Sequence, residues 1–520
     1  MRPHILIALV LLALAARLPG LGWGLPGPTH LFSYHPDEFH SLRGVLSLAT
    51  GDLNPHFFNY GCLYLDLVDA AASIAHGDLV SNLSTNRIPE ALRAWTLDAR
   101  VVSLLASVAT VVVVALAAEA IAAGAGLWAG LALALMPLHA LHARYATVDS
   151  TLCLFTALTL LFTILASVRE RPRFYLLAGA AAGLAASTKY SGAIVFIVPL
   201  VALAFDRGLP SSVRLKLLAG AFGAALVAFA VTSPYVFLAW DEARLGIAFE
   251  LNHMRVGESP SILADRSGIF FHLKWLSLGT MFLAPVGLIA SVVYAFRRRE
   301  KTPVWVPLAA LSVVGFAMIA AAHVRFARYE LFLLPVAAIG VGAMLATIDR
   351  RPLRILAALW LLFAAAHCAH IAQRLTAPDS RDLALTAILN QTAPTDRLGM
   401  IWEPWFQSPP LDYCNGGAGL RHTPGWQHFE SPRRPLVVVG YDPARLKAER
   451  PKWMVVSEVE RRDYELTHTY PDFWRALHSD YHSVGFWSAR LVPQIADDAP
   501  FPPQDWLYPA MPVYLYERNE

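Results

Sequence analysis

Four short polar segments break an otherwise apolar chain, and each carries side chains suited to acid–base or phosphate chemistry. The first is Tyr34-His35-Pro36-Asp37-Glu38. Proline fits the first position of a helix and carboxylates fit its first turn, so the segment reads as a helix start. Read chemically, Asp37 is a general base: a carboxylate beside an attacking hydroxyl takes its proton, and partial burial near a bilayer raises its basicity. The second is His142-Ala143-Arg144-Tyr145-Ala146-Thr147-Val148-Asp149. Asp149 opens an apolar run and suits a helix cap, while His142, Arg144 and Asp149 at one depth also suit the wall of a site. The third, Thr188-Lys189-Tyr190-Ser191-Gly192, sets one of only six lysines between two short apolar runs. A lysine there either snorkels to the membrane surface or holds an anion such as a lipid phosphate. The fourth is His323-Val324-Arg325-Phe326-Ala327-Arg328-Tyr329-Glu330. Arg325 and Arg328 can stabilise the charge that grows on a phosphate leaving group without a metal. His253, Arg255 and Lys274, in or beside a later polar loop, are secondary candidates.

The elements that must position these segments are membrane spans. Of 520 residues, 56% are hydrophobic and 16% charged, against about a quarter charged in a soluble globular protein. The mean hydropathy is +0.45, which fits a polytopic membrane protein. A spanning helix takes about twenty apolar residues, and about eleven such runs stand out. They lie near residues 4–23, 99–120, 123–141, 149–168, 174–189, 190–206, 214–234, 271–295, 303–322, 329–347 and 352–371. Basic residues cluster in alternate connections: Arg169, Arg171 and Arg173; Arg207, Arg214 and Lys216; Arg297 to Arg299 with Lys301; Arg350, Arg351 and Arg354. The positive-inside rule assigns these clusters to the cytoplasm. The four polar segments, the first loop (24–98), the loop 235–270 and the chain beyond 375 then face outward. Arg325 and Arg328 sit on the side that should be poor in positive charge, which favours a functional role for them. The first run also holds Ala13-Leu14-Ala15, a pattern compatible with signal cleavage; the first loop is outside under either reading. Residues 56–76 carry Asp66 and Asp69, costly in hydrocarbon, and read as a helix lying at the membrane surface. Gly126 with Gly130, and Gly179 with Gly183, have the spacing of closely packed helices.

Beyond 375 the composition turns polar and rich in proline and tryptophan. A helix at 381–390 and strand-like runs at 397–402, 436–439, 453–457 and 513–516 suggest a soluble α/β domain of about 140 residues, giving domains at 1–374 and 375–520. The net charge of +3 leaves no footprint for nucleic acid. Walker, HExxH and GxSxG motifs are missing from the sequence. Cys62, Cys153, Cys368 and Cys414 have no zinc spacing. Cys62 and Cys414 would share the oxidising side, where a disulfide is chemically open.

The Pro-Asp-Glu sequence at 36–38, His142–Ser150, Gly183–Gly192 and Arg325–Pro335 together resemble the GT-C superfamily of membrane glycosyltransferases. More narrowly, they look like bacterial relatives of the dolichyl-phosphate-mannose protein mannosyltransferases and of the aminoarabinose transferases that modify lipid A. The resemblance covers residues 1–370 and implies a GT-C-like helical membrane domain. It implies an inverting transfer of a sugar from a polyprenyl-phosphate lipid to an acceptor hydroxyl outside the plasma membrane, with no cofactor required. Asp37 would be the catalytic carboxylate, Glu38 its assistant and Asp149 a second acidic group. Lys189, Arg325 and Arg328 would contact the phosphate, with Arg144 as a further contact. His35, Tyr145, Tyr190, Tyr329 and His323 would line the cavity. The tail departs from the lectin-like repeats of the eukaryotic enzymes and leaves the acceptor (glycan, lipid or protein) open. Two alternatives stand beside this. In a metal-dependent oligosaccharide transferase, Asp37 and Asp149 would bind a divalent cation. A lipid or solute transporter would instead show an inverted repeat, and none is visible.

Overall fold

The computed structural model describes residues 1–76, 88–257, 267–413, 433–488 and 502–520; Cys414, and with it the pairing considered for Cys62, lies outside them. The apolar runs become helices, several of them broken. In chain order they are α1 (Pro3–Ala15), α2 (Pro36–Ala49), α3 (Leu63–His76), α4 (Ile88–Ile121), α5 (Ala125–Ala134), α6 (Pro137–His142), α7 (Asp149–Val168) and α8 (Phe174–Thr188). A 3-10 turn (Tyr190–Phe196) leads into α9 (Ile197–Phe205), followed by α10 (Ser211–Thr232), α11 (Tyr235–Leu238), α12 (Trp240–Val256), α13 (Gly268–Gly279), α14 (Leu283–Arg297) and α15 (Thr302–Ala321). A second 3-10 turn (Ala327–Leu333) opens α16 (Leu334–Ala346), and α17 (Arg351–Thr376) and α18 (Ser380–Gln391) complete the helical part.

The protein is a multi-pass membrane protein, but eleven full spans are not established. Among the described residues six helices are long and apolar enough to cross a membrane, or seven if α13 and α14 form one bent span. Four further apolar helices, Pro3–Ala15, Ala125–Ala134, Phe174–Thr188 and Tyr190–Phe205, are shorter. The difference comes from breaks that a hydropathy window averages away. The run 123–141 divides between α5 and α6 at Pro137, whose ring removes a backbone donor. The run 271–295 turns through 112° between α13 and α14, where Met281 and Phe282 take positive φ values of 52° and 63°.

Small residues bring helices into backbone contact. A Cβ on Gly179 or Gly183 of α8 would lie 2.1 or 2.2 Å from the carbonyl oxygens of Ala221 and Ala225 in α10. The two ends of the bundle differ chemically. Lys301 donates to the Ile121 carbonyl, Ser167 reaches Pro303, and Tyr175 reaches Asp206. Arg354 shares a recess with Glu119 and Arg2. The basic connections therefore gather at one end, and the four polar segments meet at the other.

Among the described residues the tail forms a five-stranded sheet: β1 (Leu398–Met400), β2 (Leu436–Val438), β3 (Trp453–Ser457), β4 (Tyr481–Trp487) and β5 (Val513–Arg518), in the order β2-β1-β3-β5-β4. The first three strands run parallel, and β5 is antiparallel to β3 and β4. The four expected strands are present, β1 and β2 shorter, β3 with the expected bounds and β5 two residues longer; β4, an edge strand with largely exposed side chains, was not expected. The sheet docks on the first loop. Tyr34 donates to Asp382 at 2.6 Å, and the Arg381 guanidinium lies 3.8 Å from the Tyr34 ring centre. Trp506, Leu507, Tyr508, Ala510 and Met511 join the same apolar core as the bundle helices.

The α8–α10 contact yields a direct expectation. Gly183→Leu forces the helices apart and lowers the thermal unfolding temperature of the purified protein, by about 1–3 kcal/mol of stability or more. Gly223→Leu, at a position with nothing within 4 Å of a Cβ, leaves it unchanged.

Candidate functional site

The site begins with the start of α2. Pro36 occupies the first helical position with Asp37 and Glu38 behind it, as the sequence suggested. The two carboxylates then diverge, because consecutive helical residues point in different directions. Glu38 is fully buried. It accepts from Arg100 Nε at 2.8 Å and Nη2 at 2.7 Å, from the Ala146 amide at 2.7 Å, and from the Ser33 hydroxyl. Arg100 Nη1 also donates to the Leu21 and Trp23 carbonyls. Glu38 thus ties the first loop to α4 and to the segment after α6.

Asp37 turns the other way and is only partly buried. Its carboxylate pairs with Arg328 Nη1 at 2.7 Å. Arg328 sits near the start of the second 3-10 turn, with its guanidinium 4.3 Å from the Phe326 ring centre. Beside it lies a cavity of about 370 Å³ walled by the loop before α3, α7, the first 3-10 turn, α12, α15 and the second 3-10 turn. Asp149, the first residue of α7, pairs there with Lys189 at 3.2 Å. The Lys189 ammonium also faces the rings of Tyr329 and Tyr60, at 5.0 and 5.5 Å. Tyr190 lines the cavity and donates to the Phe58 carbonyl. Glu250 of α12 completes the charged lining. Burial pushes its carboxyl above the ordinary range, against the pull of Lys189.

So the structure gathers Asp37, Asp149, Lys189, Arg328, Tyr190 and Tyr329, drawn from all four polar segments. The other expected site residues stand elsewhere. Arg144 spends its guanidinium on the carbonyls of Ala16 and Pro19, just after α1, and on that of Ala140 in α6. Arg325 is half-buried and donates to Ala322, and His323 is exposed; neither lines the cavity. His35 is fully buried between Tyr145 and Tyr508, with ring centres 4.4 and 4.8 Å away. That stack lies behind Asp37 rather than in the cavity wall, and burial holds the His35 imidazole neutral.

Three neighbours were not anticipated: Glu250, Tyr60 and Asp505. Glu250 left a trace in the sequence. It shares a helical stripe with Ile247, Leu251 and Met254, all cavity-lining, and a lone carboxylate on an apolar stripe is a signal. Asp505 left none, since it lies in a short proline-flanked stretch without periodicity. As for a divalent cation, no set of three His, Cys, Asp or Glu side chains among the described residues could hold one. Asp37 and Asp149, the ligands that reading requires, are each paired with a cationic side chain.

Residues 94–240 match the dolichyl-phosphate-mannose-protein mannosyltransferase family. The sequence has no significant match among curated proteins. The fold is similar to that of ArnT from Cupriavidus metallidurans bound to undecaprenyl phosphate: 17% identity, 98% of this chain and 97% of that chain covered, TM-score 0.53. It is also similar to the archaeal oligosaccharyltransferase AglB from Archaeoglobus fulgidus in complex with an inhibitory peptide and a dolichol-phosphate, at 13% identity, 93% and 72% coverage and TM-score 0.53. The Archaeoglobus fulgidus oligosaccharyltransferase in complex with Zn and sulfate matches at 14% identity, 94% and 72% coverage and TM-score 0.50. The chain resembles the GT-C glycosyltransferases in fold.

The divergence of the two α2 carboxylates is testable by unfolding. Glu38→Ala leaves the Arg100 charge buried and unpaired, at a cost of about 3–5 kcal/mol, and thermal denaturation should show a large drop. Asp37→Ala likewise deprives the buried Arg328 of its carboxylate, but Arg328 borders the cavity, where water can reach it, so the midpoint should fall by less.

Proposed function

We propose that this chain is an inverting glycosyltransferase that moves a sugar from a polyprenyl-phosphate donor to an acceptor hydroxyl on the extracytoplasmic side of the membrane. The observation that carries the reading is the 2.7 Å pair between Asp37 and Arg328 beside a cavity that also holds Lys189. In this reading Asp37 is the base and Arg328 and Lys189 are the cations for the phosphate. The fold shared with ArnT, whose structure holds undecaprenyl phosphate, supports the donor class. The basic connections at the opposite end of the bundle support the orientation. Under this reading 1–374 is the catalytic membrane domain, and 375–520 is an extracytoplasmic α/β domain.

The transfer is a single displacement. The acceptor oxygen forms a bond to the anomeric carbon while Asp37 takes its proton. The bond from that carbon to the phosphate oxygen breaks, and the electron pair leaves with the polyprenyl phosphate. The phosphate gains a negative charge in this step, so Arg328 and Lys189 stabilise the transition state more than the ground state. The donor phosphate, on arrival, competes with Asp37 for the Arg328 guanidinium. Apolar walls from Leu152, Ile247, Leu251, Met254 and Phe332 suit an isoprenoid chain, and the aromatic faces around Lys189 suit the sugar.

Asp37→Asn should cut transfer by about a hundredfold or more while native mass spectrometry still finds the lipid phosphate bound. Normal turnover in that variant would overturn the base assignment. Arg328→Ala should lose the co-purified lipid phosphate; retention at wild-type level would overturn the phosphate site. Glu250 sets the pH dependence. Protonated, it is a neutral neighbour of the phosphate. As the pH rises through its raised titration range it becomes an anion, so donor affinity should fall across that range. Glu250→Gln should flatten that profile, measured as donor binding against pH.

A further inference from the structure

Asp505 comes from the short helix Gln504–Leu507, near the end of the chain, yet it is fully buried. Its Oδ2 accepts the backbone N–H of Arg328 at 2.8 Å, with the Ala327 amide beside it. These are the first two residues of the 3-10 turn, whose own leading residue, Phe326, supplies no side-chain cap. The opening donors of such a turn have no partner within it. A carboxylate is the strongest acceptor that can be offered to them. Here it is offered from 177 residues away.

The same segment touches the other half of the pair. The Tyr508 ring packs edge-on against His35, two residues before Asp37, with centres 4.8 Å apart. The Tyr508 carbonyl is in turn held by Arg381 Nη2 at 2.7 Å, and that guanidinium is locked to Asp379. From one four-residue stretch, Asp505 thus holds the backbone of Arg328 and Tyr508 packs on the side chain two residues before Asp37. The turn that aims Arg328 does not set its own direction, because the chain enters it from the extended residue Phe326.

We propose that Asp505 is a positioning residue: by capping the 3-10 turn from the C-terminal domain it fixes the direction in which Arg328 meets Asp37 and the donor phosphate. The phosphate half of this statement rests on the function proposed above; the capping half does not. The C-terminal sheet is then part of the site's construction, since the pair is correctly aimed only when residues 505–508 are seated.

The experiment uses the full-length protein in detergent with three variants, Asp505→Ala, Asp505→Asn and Arg328→Ala. Hydrogen–deuterium exchange over residues 326–333 reads the cap, and binding of undecaprenyl phosphate reads its consequence. Asp505→Ala should speed exchange at the Arg328 amide and weaken lipid-phosphate binding about tenfold, the loss of one well-placed interaction. It should add nothing when combined with Arg328→Ala. Asp505→Asn keeps an acceptor oxygen and should retain both protection and affinity. Unchanged exchange in Asp505→Ala overturns the proposal whatever the donor proves to be. If the alanine variant does not fold, the asparagine variant decides: donor affinity falling as far as in Arg328→Ala overturns the proposal. Failure of the wild-type protein to bind the lipid phosphate, with protection still lost in Asp505→Ala, refutes the donor class and leaves the cap standing.

Discussion

A guanidinium inside a low-dielectric bundle must be given partners on every side, and this requirement shapes most of the structure around the cavity. Arg17, Arg100, Arg144 and Arg381 are among the largest fully buried side chains. Each is spent on backbone carbonyls or a carboxylate. Arg17 donates to the carbonyls of Ala13 and Ala134 and to Ser107, bridging α1, α4 and the broken end of α5. Arg100 clasps Glu38, and Arg144 closes the end of α1. An arginine with a planar fork can satisfy carbonyls left over where helices stop short, and a bundle of short and bent helices has many. Arg328 differs. Its guanidinium meets one carboxylate and two aromatic faces, and it is the one of the five that lines the cavity.

How far this was legible in the sequence follows from what each residue's signal depends on. The start of α2 at Pro36 and the start of α7 at Asp149 were readable because proline and acidic first turns act locally. Lys189 and Arg328 stood out because each is a charge set between apolar runs, where it needs a partner; the same signal marked Arg325, which does not line the cavity. The duties of Glu38 and Arg144 were not readable. Asp37 and Glu38 are adjacent and chemically alike, and only the helix rotation decides which meets Arg100 and which meets Arg328. Arg144 belongs to a polar segment, but its partners are carbonyls at residues 16 and 19, and carbonyls carry no sequence signature. The strands of the tail were legible where they are apolar on both faces, as in Trp453–Ser457; β4 alternates poorly and lies at the sheet's edge.

The bundle and the sheet are less separable than composition implies. The change in character near residue 375 is real, yet Trp506 to Met511 belong to the core of the helices rather than to the core of the sheet. Aromatic contacts among Trp23, Tyr34, His35, Tyr145 and Tyr508 run continuously from the first loop to the end of the chain. A boundary drawn where polarity changes divides the chain at a point where contact does not.

One helix stands apart from this mutual dependence. Only 6% of the apolar window of α10 is buried inside the protein, and that little is concentrated where α8 presents its glycines. What selection can hold on to in α10 is its inner stripe, the small residues that meet Gly179 and Gly183 together with Leu217, Leu218, Phe229 and Thr232; elsewhere lipid asks only for apolar character. Over evolutionary time its outward positions should drift nearly freely among aliphatic and aromatic residues while Ala221 and Ala225 stay small. Among related chains, α10 would be the span whose sequence diverges fastest and whose backbone path changes least.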